Sequence, residues 1–131
     1  MTAEKLVELA TEAMMKAYAP YSGYFVGAAL LTRAGKVYTG CNIENAAFGP
    51  TNCAERTAFF KAVSEGERAF SAIAVVGGKG GEITGIFPPC GVCRQVMQEF
   101  CDPDFLIHMG RENGGVETVT LAELLPYGFS I

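Results

Sequence analysis

The chain is poor in positive charge, in histidine and in long apolar runs, and each shortage removes a class of function. Ten Lys and Arg stand against fourteen Asp and Glu, a formal net charge of −4. The basic residues are scattered rather than gathered on one stretch. Proteins that hold polynucleotides draw most of their affinity from cationic contacts to phosphates, so no nucleic-acid partner is expected. No stretch approaches the roughly 20 apolar residues that cross a bilayer, so no membrane partner is expected either. Met1 to Tyr18 carries Glu and Lys throughout in place of an apolar segment, which predicts no secretory leader. There are no repeats, no low-complexity tract and no linker. A length of 131 residues predicts one domain over 1–131, able to bury about two-thirds of its extended-chain surface.

The five cysteines are an odd number, so complete internal pairing is impossible. Without a leader, thiols and metal are expected before disulfides, and the expected compartment is the cytoplasm. Half of the residues are apolar. That suits a well-filled core or a face that meets another subunit.

Periodicity predicts an amphipathic helix over residues 2–18, capped by Thr2 and stopped by Pro20, with Leu6, Leu9, Ala10, Ala13, Met14 and Ala17 on one stripe. Residues 25–31 are a near-continuous apolar run. With the turn at Arg33–Lys36 and the segment 37–41 they predict a β-hairpin, its first strand buried on both faces. Asn42 to Asn52 is polar and turn-rich. A helix starting within Thr51 to Cys53 and running to about Ser64, a strand over 70–76, a glycine loop over 77–81, a helix from Cys90 to about Phe100, a strand over 104–109 and a capped turn of helix at Thr120–Leu125 follow. The glycine loop lacks the spacing of a phosphate cradle. Strands alternating with helices predict an α/β layered fold.

The chemistry gathers in Cys53-Ala54-Glu55 and Pro89-Cys90-Gly91-Val92-Cys93. A CxxC lets two thiolates reach one ion, and Cys53 adds a third. Three cysteines make an incomplete tetrahedral zinc shell; a catalytic zinc keeps its fourth position for water. Cys53 and Cys90 are far apart in the chain, so two helix starts must converge. Each helix start favours thiolate through its unpaired N–H groups and positive dipole end. Three thiolates leave the shell negative, and Arg56 is the expected cation that hydrogen-bonds a thiolate and offsets that charge. Glu55 is the expected proton carrier. A closed, purely structural zinc, with His108, Cys41 or Cys101 as fourth ligand, is the competing reading, and it gives Glu55 no task.

These pieces resemble the small, three-cysteine cytidine deaminases of nucleoside salvage. The resemblance rests on Tyr21-Ser22, Val26-Gly27-Ala28-Ala29-Leu30, Cys41-Asn42-Ile43-Glu44-Asn45-Ala46, Cys53-Ala54-Glu55-Arg56-Thr57-Ala58 and Pro89-Cys90-Gly91-Val92-Cys93-Arg94-Gln95. It implies a three-layer α/β/α fold with a mixed five-stranded sheet. It also implies one Zn2+ per subunit on Cys53, Cys90 and Cys93, and hydrolysis of cytidine and 2'-deoxycytidine to uridine and 2'-deoxyuridine. In that reaction water adds at C4 while Glu55 carries a proton to ring N3 and then to the departing amine. The resemblance places the Tyr24 ring on the pyrimidine, the Ala54 N–H on the base carbonyl, and Asn42 and Glu44 on the sugar 3'-hydroxyl. Ala46 and Phe129 are implied to reach the sites of neighbouring subunits in a homotetramer. Three positions depart from the family's pattern: Tyr24 where Phe is usual, Phe25 where Pro is common, and Phe48 where Tyr is common. A blasticidin-S-type deaminase shares the two cysteine motifs, but Asn42-Ile43-Glu44-Asn45 favours a nucleoside. A zinc-stabilised binding module without activity is the third reading.

Overall fold

A computed structural model describes all residues 1–131. Five strands form one sheet: β1 (Tyr24–Thr32), β2 (Val37–Cys41), β3 (Phe70–Lys79), β4 (Leu106–Gly110) and β5 (Val116–Thr120). Their order across the sheet is β2-β1-β3-β4-β5, with β3 and β4 parallel and every other pair antiparallel. Four helices cover it: α1 (Ala3–Met14), α2 (Ala54–Ser64), α3 (Gly91–Phe100) and the single turn α4 (Leu121–Leu124).

Side-chain alternation along the buried strands makes the layers. Ala29, Ala72, Ala74 and Val76 face one way and pack against Leu6, Ala10 and Met14 of α1. Ala28, Leu30, Ile73 and Val75 face the other way, toward Ala54, Ala58, Phe59 and Ala62 of α2 and Met97 of α3. Phe59 centres this second layer, its ring 5.2 Å from Phe70 and 6.1 Å from Phe105 between centroids. A strand buried on both faces reads as a continuous apolar run, which is why β1 lacks polar alternation. The result is the expected three-layer α/β/α arrangement with a mixed five-stranded sheet.

Several elements differ from the sequence reading; strand β4, expected over 104–109, runs Leu106–Gly110. Helix α1 stops at Met14 rather than 18, because the Tyr18 N–H leaves the helix to bond the Asn42 carbonyl at 3.0 Å. Strand β1 begins at Tyr24. Strand β3 runs on to Lys79, so Gly77 and Gly78 are strand, paired with Val26 and Phe25, and not loop. Periodicity missed β5 entirely: its Val-Glu-Thr-Val-Thr sequence is half-buried on both sides, and its pairing with β4 supplies the order. The box predicted at Thr120 is present, with the Thr120 hydroxyl accepting from the Glu123 N–H and the Glu123 carboxylate accepting from the Thr120 N–H.

Candidate metal centre and catalytic cleft

Two helix starts do converge. Cys53 is the N-cap of α2 and Cys90 the N-cap of α3, both in extended backbone. Neither sulfur caps its own helix. The first-turn N–H groups therefore keep their positive end toward the thiols. Gly40 sets the height of α2 over the sheet: a Cβ there would lie 2.5 Å from the Ala54 carbonyl oxygen and 2.6 Å from the Ala58 nitrogen. The missing side chain lets the helix start rest directly on β2.

Cys53 Sγ lies 3.8 Å from Cys90 Sγ, and Cys90 Sγ 3.6 Å from Cys93 Sγ. A tetrahedral zinc with bonds of about 2.3 Å would separate its sulfurs by about 3.8 Å. The donor set fits that ion in number, chemistry and spacing. All three sulfurs lie within 4.8 Å of one another, and no fourth His, Cys, Asp or Glu joins them. His108 is on β4, whose side chain at that position faces α1, not the cluster. Cys41 and Cys101 are also outside the cluster. The closed-site reading therefore lacks its ligand.

Charge at the cluster follows from crowding. The nearby Cys93 thiol, and then the Arg56 guanidinium, hold the Cys53 thiol down at about 5, against burial. Closeness to Cys53, with burial, raises the Cys93 thiol well above its ordinary range. One thiolate can exist among three close sulfurs; three need a cation, and a dication suits them. Arg56 donates through Nη2 to Cys53 Sγ at 3.2 Å. Burial opposes its charge, but the hydrogen bond to Cys53 and the nearby Cys93 sulfur outweigh that and hold the guanidinium firmly protonated. Its Nε is buried without a partner.

Glu55, the second residue of α2, is 4 % exposed. Burial raises its carboxyl to about 7, with the Cys53 charge adding to the rise. A carboxyl that titrates near neutrality can both take and give a proton there.

A cleft of about 220 Å³ opens on this cluster. Glu55, Cys53, Cys90 and Ala54 line one part of it; Asn42, Glu44, Thr51 and Asn52 line a polar part; Val26, Val75, Phe87 and Pro88 line an apolar part. Asn42 is locked by β1: its Oδ1 accepts from the Val26 N–H and its Nδ2 donates to the Tyr24 carbonyl, both at 2.8 Å. Glu44 accepts from the Tyr21 and Ser22 N–H groups at 3.0 and 3.1 Å, and from the Ser22 hydroxyl. The Ser22 hydroxyl foremost, with these N–H groups, holds the Glu44 carboxyl below its ordinary range. Both side chains thus brace the backbone around them, while each also lines the cleft.

Three sequence-derived substrate positions lie outside this lining. Tyr24 is 45 % exposed and does not line the cleft. The aromatic ring on the wall is Phe87, 6.1 Å from the Tyr24 ring between centroids. Ala46 and Phe129 lie outside the lining of their own chain's cleft, and Phe129 is 68 % exposed. Sequence reasoning missed Val26, Thr51, Asn52, Val75 and Phe87. The signal for Phe87 was the glycine pair on β3, since glycine inside a strand marks a close approach.

A trio of thiols with an acid at its side, on converging helix starts, defines the class of zinc-dependent hydrolytic enzymes. Comparison narrows the class. The cytidine and deoxycytidylate deaminase zinc-binding region matches residues 1–109. The chain is similar to a cytidine deaminase of Sporosarcina psychrophila, 51% identical over 130 residues, covering 99% of this chain and 93% of the relative. It is similar to one of Halalkalibacterium halodurans, 49% identical over 130 residues, covering 99% and 96%. The crystal structure of a cytidine deaminase from Burkholderia pseudomallei superposes with a TM-score of 0.90 at 50% identity, covering 98% of this chain and 100% of that one. The chain belongs to the cytidine and deoxycytidylate deaminase family, whose matched domain is zinc-binding, and Cys53, Cys90 and Cys93 are the cluster in it that could hold the ion. No helix is long and apolar enough to cross a membrane.

Proposed function

We propose that this enzyme hydrolyses cytidine and 2'-deoxycytidine to uridine and 2'-deoxyuridine with release of ammonia, a step of pyrimidine salvage in the cytoplasm. The observation that carries the reading is a buried Glu55 carboxyl on the cleft wall beside three clustered thiols. Cys53, Cys90 and Cys93 would hold a zinc ion, which would supply the Lewis acidity that activates water near neutral pH.

The chain's own groups do the rest. Glu55 accepts the proton of the attacking water, delivers it to ring N3, and then relays a proton to the amine that leaves C4. One water enters and one ammonia departs. The Ala54 N–H, at the positive end of α2, suits the base carbonyl. Asn42 and Glu44 suit the sugar 3'-hydroxyl: Asn42 is held rigidly by β1, and Glu44 stays charged. A fixed carboxylate repels phosphate, which favours a free nucleoside over a nucleotide. Tyr24, its ring 6.1 Å from that of Phe87 between centroids, would reach the base from outside the cleft lining.

A homotetramer completed across subunits is part of this reading. Phe48 is 88 % exposed beside a second hollow that shares Glu44 with the cleft, and Ile43, Tyr18, Tyr21 and Phe129 are exposed as well. Exposed rings at one hollow, Tyr21 and Phe48, suit a partner's surface. Ala46 and Phe129 would then serve a neighbour's site.

The test is the fall in cytidine absorbance together with ammonia release, with and without a zinc chelator. Turnover that stops with chelator and returns with zinc is the expected result. Zinc-loaded protein that leaves cytidine intact overturns the reading, and turnover of blasticidin S in its place would reassign the substrate. Native mass spectrometry checks the subunit count.

A further inference from the structure

The crossover from β3 to α3 does more than connect them. Gly77 points to the cleft side of the sheet, the same side as Val75 and its cross-strand neighbour Val26. A Cβ on Gly77 would lie 2.8 Å from Cγ and Cδ2 of Phe87 and 3.1 Å from its Cδ1. The Phe87 ring therefore occupies the place of the side chain that Gly77 lacks. At Gly78, on the other side of the strand, a Cβ would lie 1.6 Å from the Glu82 carbonyl oxygen. The crossover thus folds back tightly over the end of β3, and the Thr84 N–H returns to the Gly77 carbonyl at 3.4 Å. Two adjacent glycines allow this; any side chain at either position would push the crossover outward.

We propose that Phe87, seated in the notch at Gly77, is the aromatic wall against which the pyrimidine ring packs, and that Gly77 is its positioning residue. This rests on the nucleoside reading above and names the group that recognises the base. Phe87 is on the cleft wall together with Val26, Val75 and Glu55, whereas Tyr24 is half-exposed and outside that lining. Only Pro88 and Pro89 separate Phe87 from Cys90, so the segment that leads into the metal-ligand helix also carries the wall. A flat ring offers a pyrimidine stacking and dispersion that an aliphatic side chain of similar size lacks.

The experiment compares zinc-loaded wild type, Phe87→Leu, Phe87→Tyr, Gly77→Ala and Tyr24→Leu by steady-state kinetics on cytidine and by calorimetry of uridine binding. Zinc content and melting temperature are recorded for each. Binding felt equally in ground and transition states moves KM and leaves kcat. Phe87→Leu should raise KM about tenfold, the scale of one lost aromatic stack, with kcat within about twofold. Uridine affinity should fall in parallel at unchanged zinc content. Phe87→Tyr should keep the wild-type KM, and Gly77→Ala should shift KM as Phe87→Leu does. Tyr24→Leu should raise KM less than Phe87→Leu. A Phe87→Leu enzyme with wild-type KM and uridine affinity overturns the assignment, as does a larger effect from Tyr24→Leu. A wild-type protein that neither converts cytidine nor binds uridine defeats the substrate reading itself, a separate outcome.

Discussion

The Arg56 guanidinium donates to the Cys53 sulfur over 3.2 Å, from one turn further along the same helix. That contact places a fixed positive charge against a zinc ligand. Groups behind metal ligands tune both affinity and the acidity of what the metal binds. Arg56→Gln should weaken zinc binding by about 10–100-fold in competition with a chelator. It should also move the pH profile of turnover. Unchanged metal affinity and profile would make Arg56 a bystander.

Glu55 lies close to the sulfurs but outside the ligand cluster. Glu55→Gln should therefore retain zinc at one ion per chain by elemental analysis. Turnover should drop by at least about 10²–10⁴-fold, the usual worth of a placed proton carrier. Substantial activity in the zinc-loaded variant would remove Glu55 from the mechanism.

Gly40 should tolerate no side chain. Gly40→Ala drives a methyl into the Ala54 carbonyl and the Ala58 nitrogen, backbone atoms that cannot swing aside. Overpacking of this kind costs about 1–3 kcal/mol, which urea unfolding would report. The displaced helix start carries Cys53 and Glu55, so activity should fall further than stability explains. A variant with wild-type unfolding and turnover would contradict the close approach.

His108 gives a pH test away from the site. Burial holds its imidazole below the ordinary value of 6.5, against the smaller pull of Glu4 from α1. Its Nδ1 lies 2.8 Å from the Thr118 hydroxyl. A depressed folded value means the unfolded chain takes up the proton first as pH falls. Stability from this group is complete above the ordinary value and is lost as pH drops below it. His108→Asn should be less stable than wild type at pH 7, by about 1 kcal/mol for a lost hydrogen bond. The gap should narrow toward pH 5. A gap that stays constant or widens toward acid would refute the assignment.

Much of the metal chemistry was already determined by the residue order. Cysteines at helix starts, an acid two residues past the first, and an arginine beside it are local facts, because N-cap geometry and CxxC spacing act within one turn. The layered α/β class was legible too, since buried strands and amphipathic helices show their periods in sequence. Strand β5 was not legible, because its half-buried pattern acquires order only through pairing with β4. Only the tertiary structure decided which ring walls the cleft. Tyr24 and Phe87 are both aromatics near motif residues. The choice depends on a bare patch at Gly77, an extended β3 and a folded-back crossover, all of which join segments distant in the chain. The depth at which Glu55 is buried was decided in the same way, by the close seating of α2 on Gly40. Side-chain type is written along the chain, whereas packing distance is set by backbone approach between elements, and that depends on the whole fold.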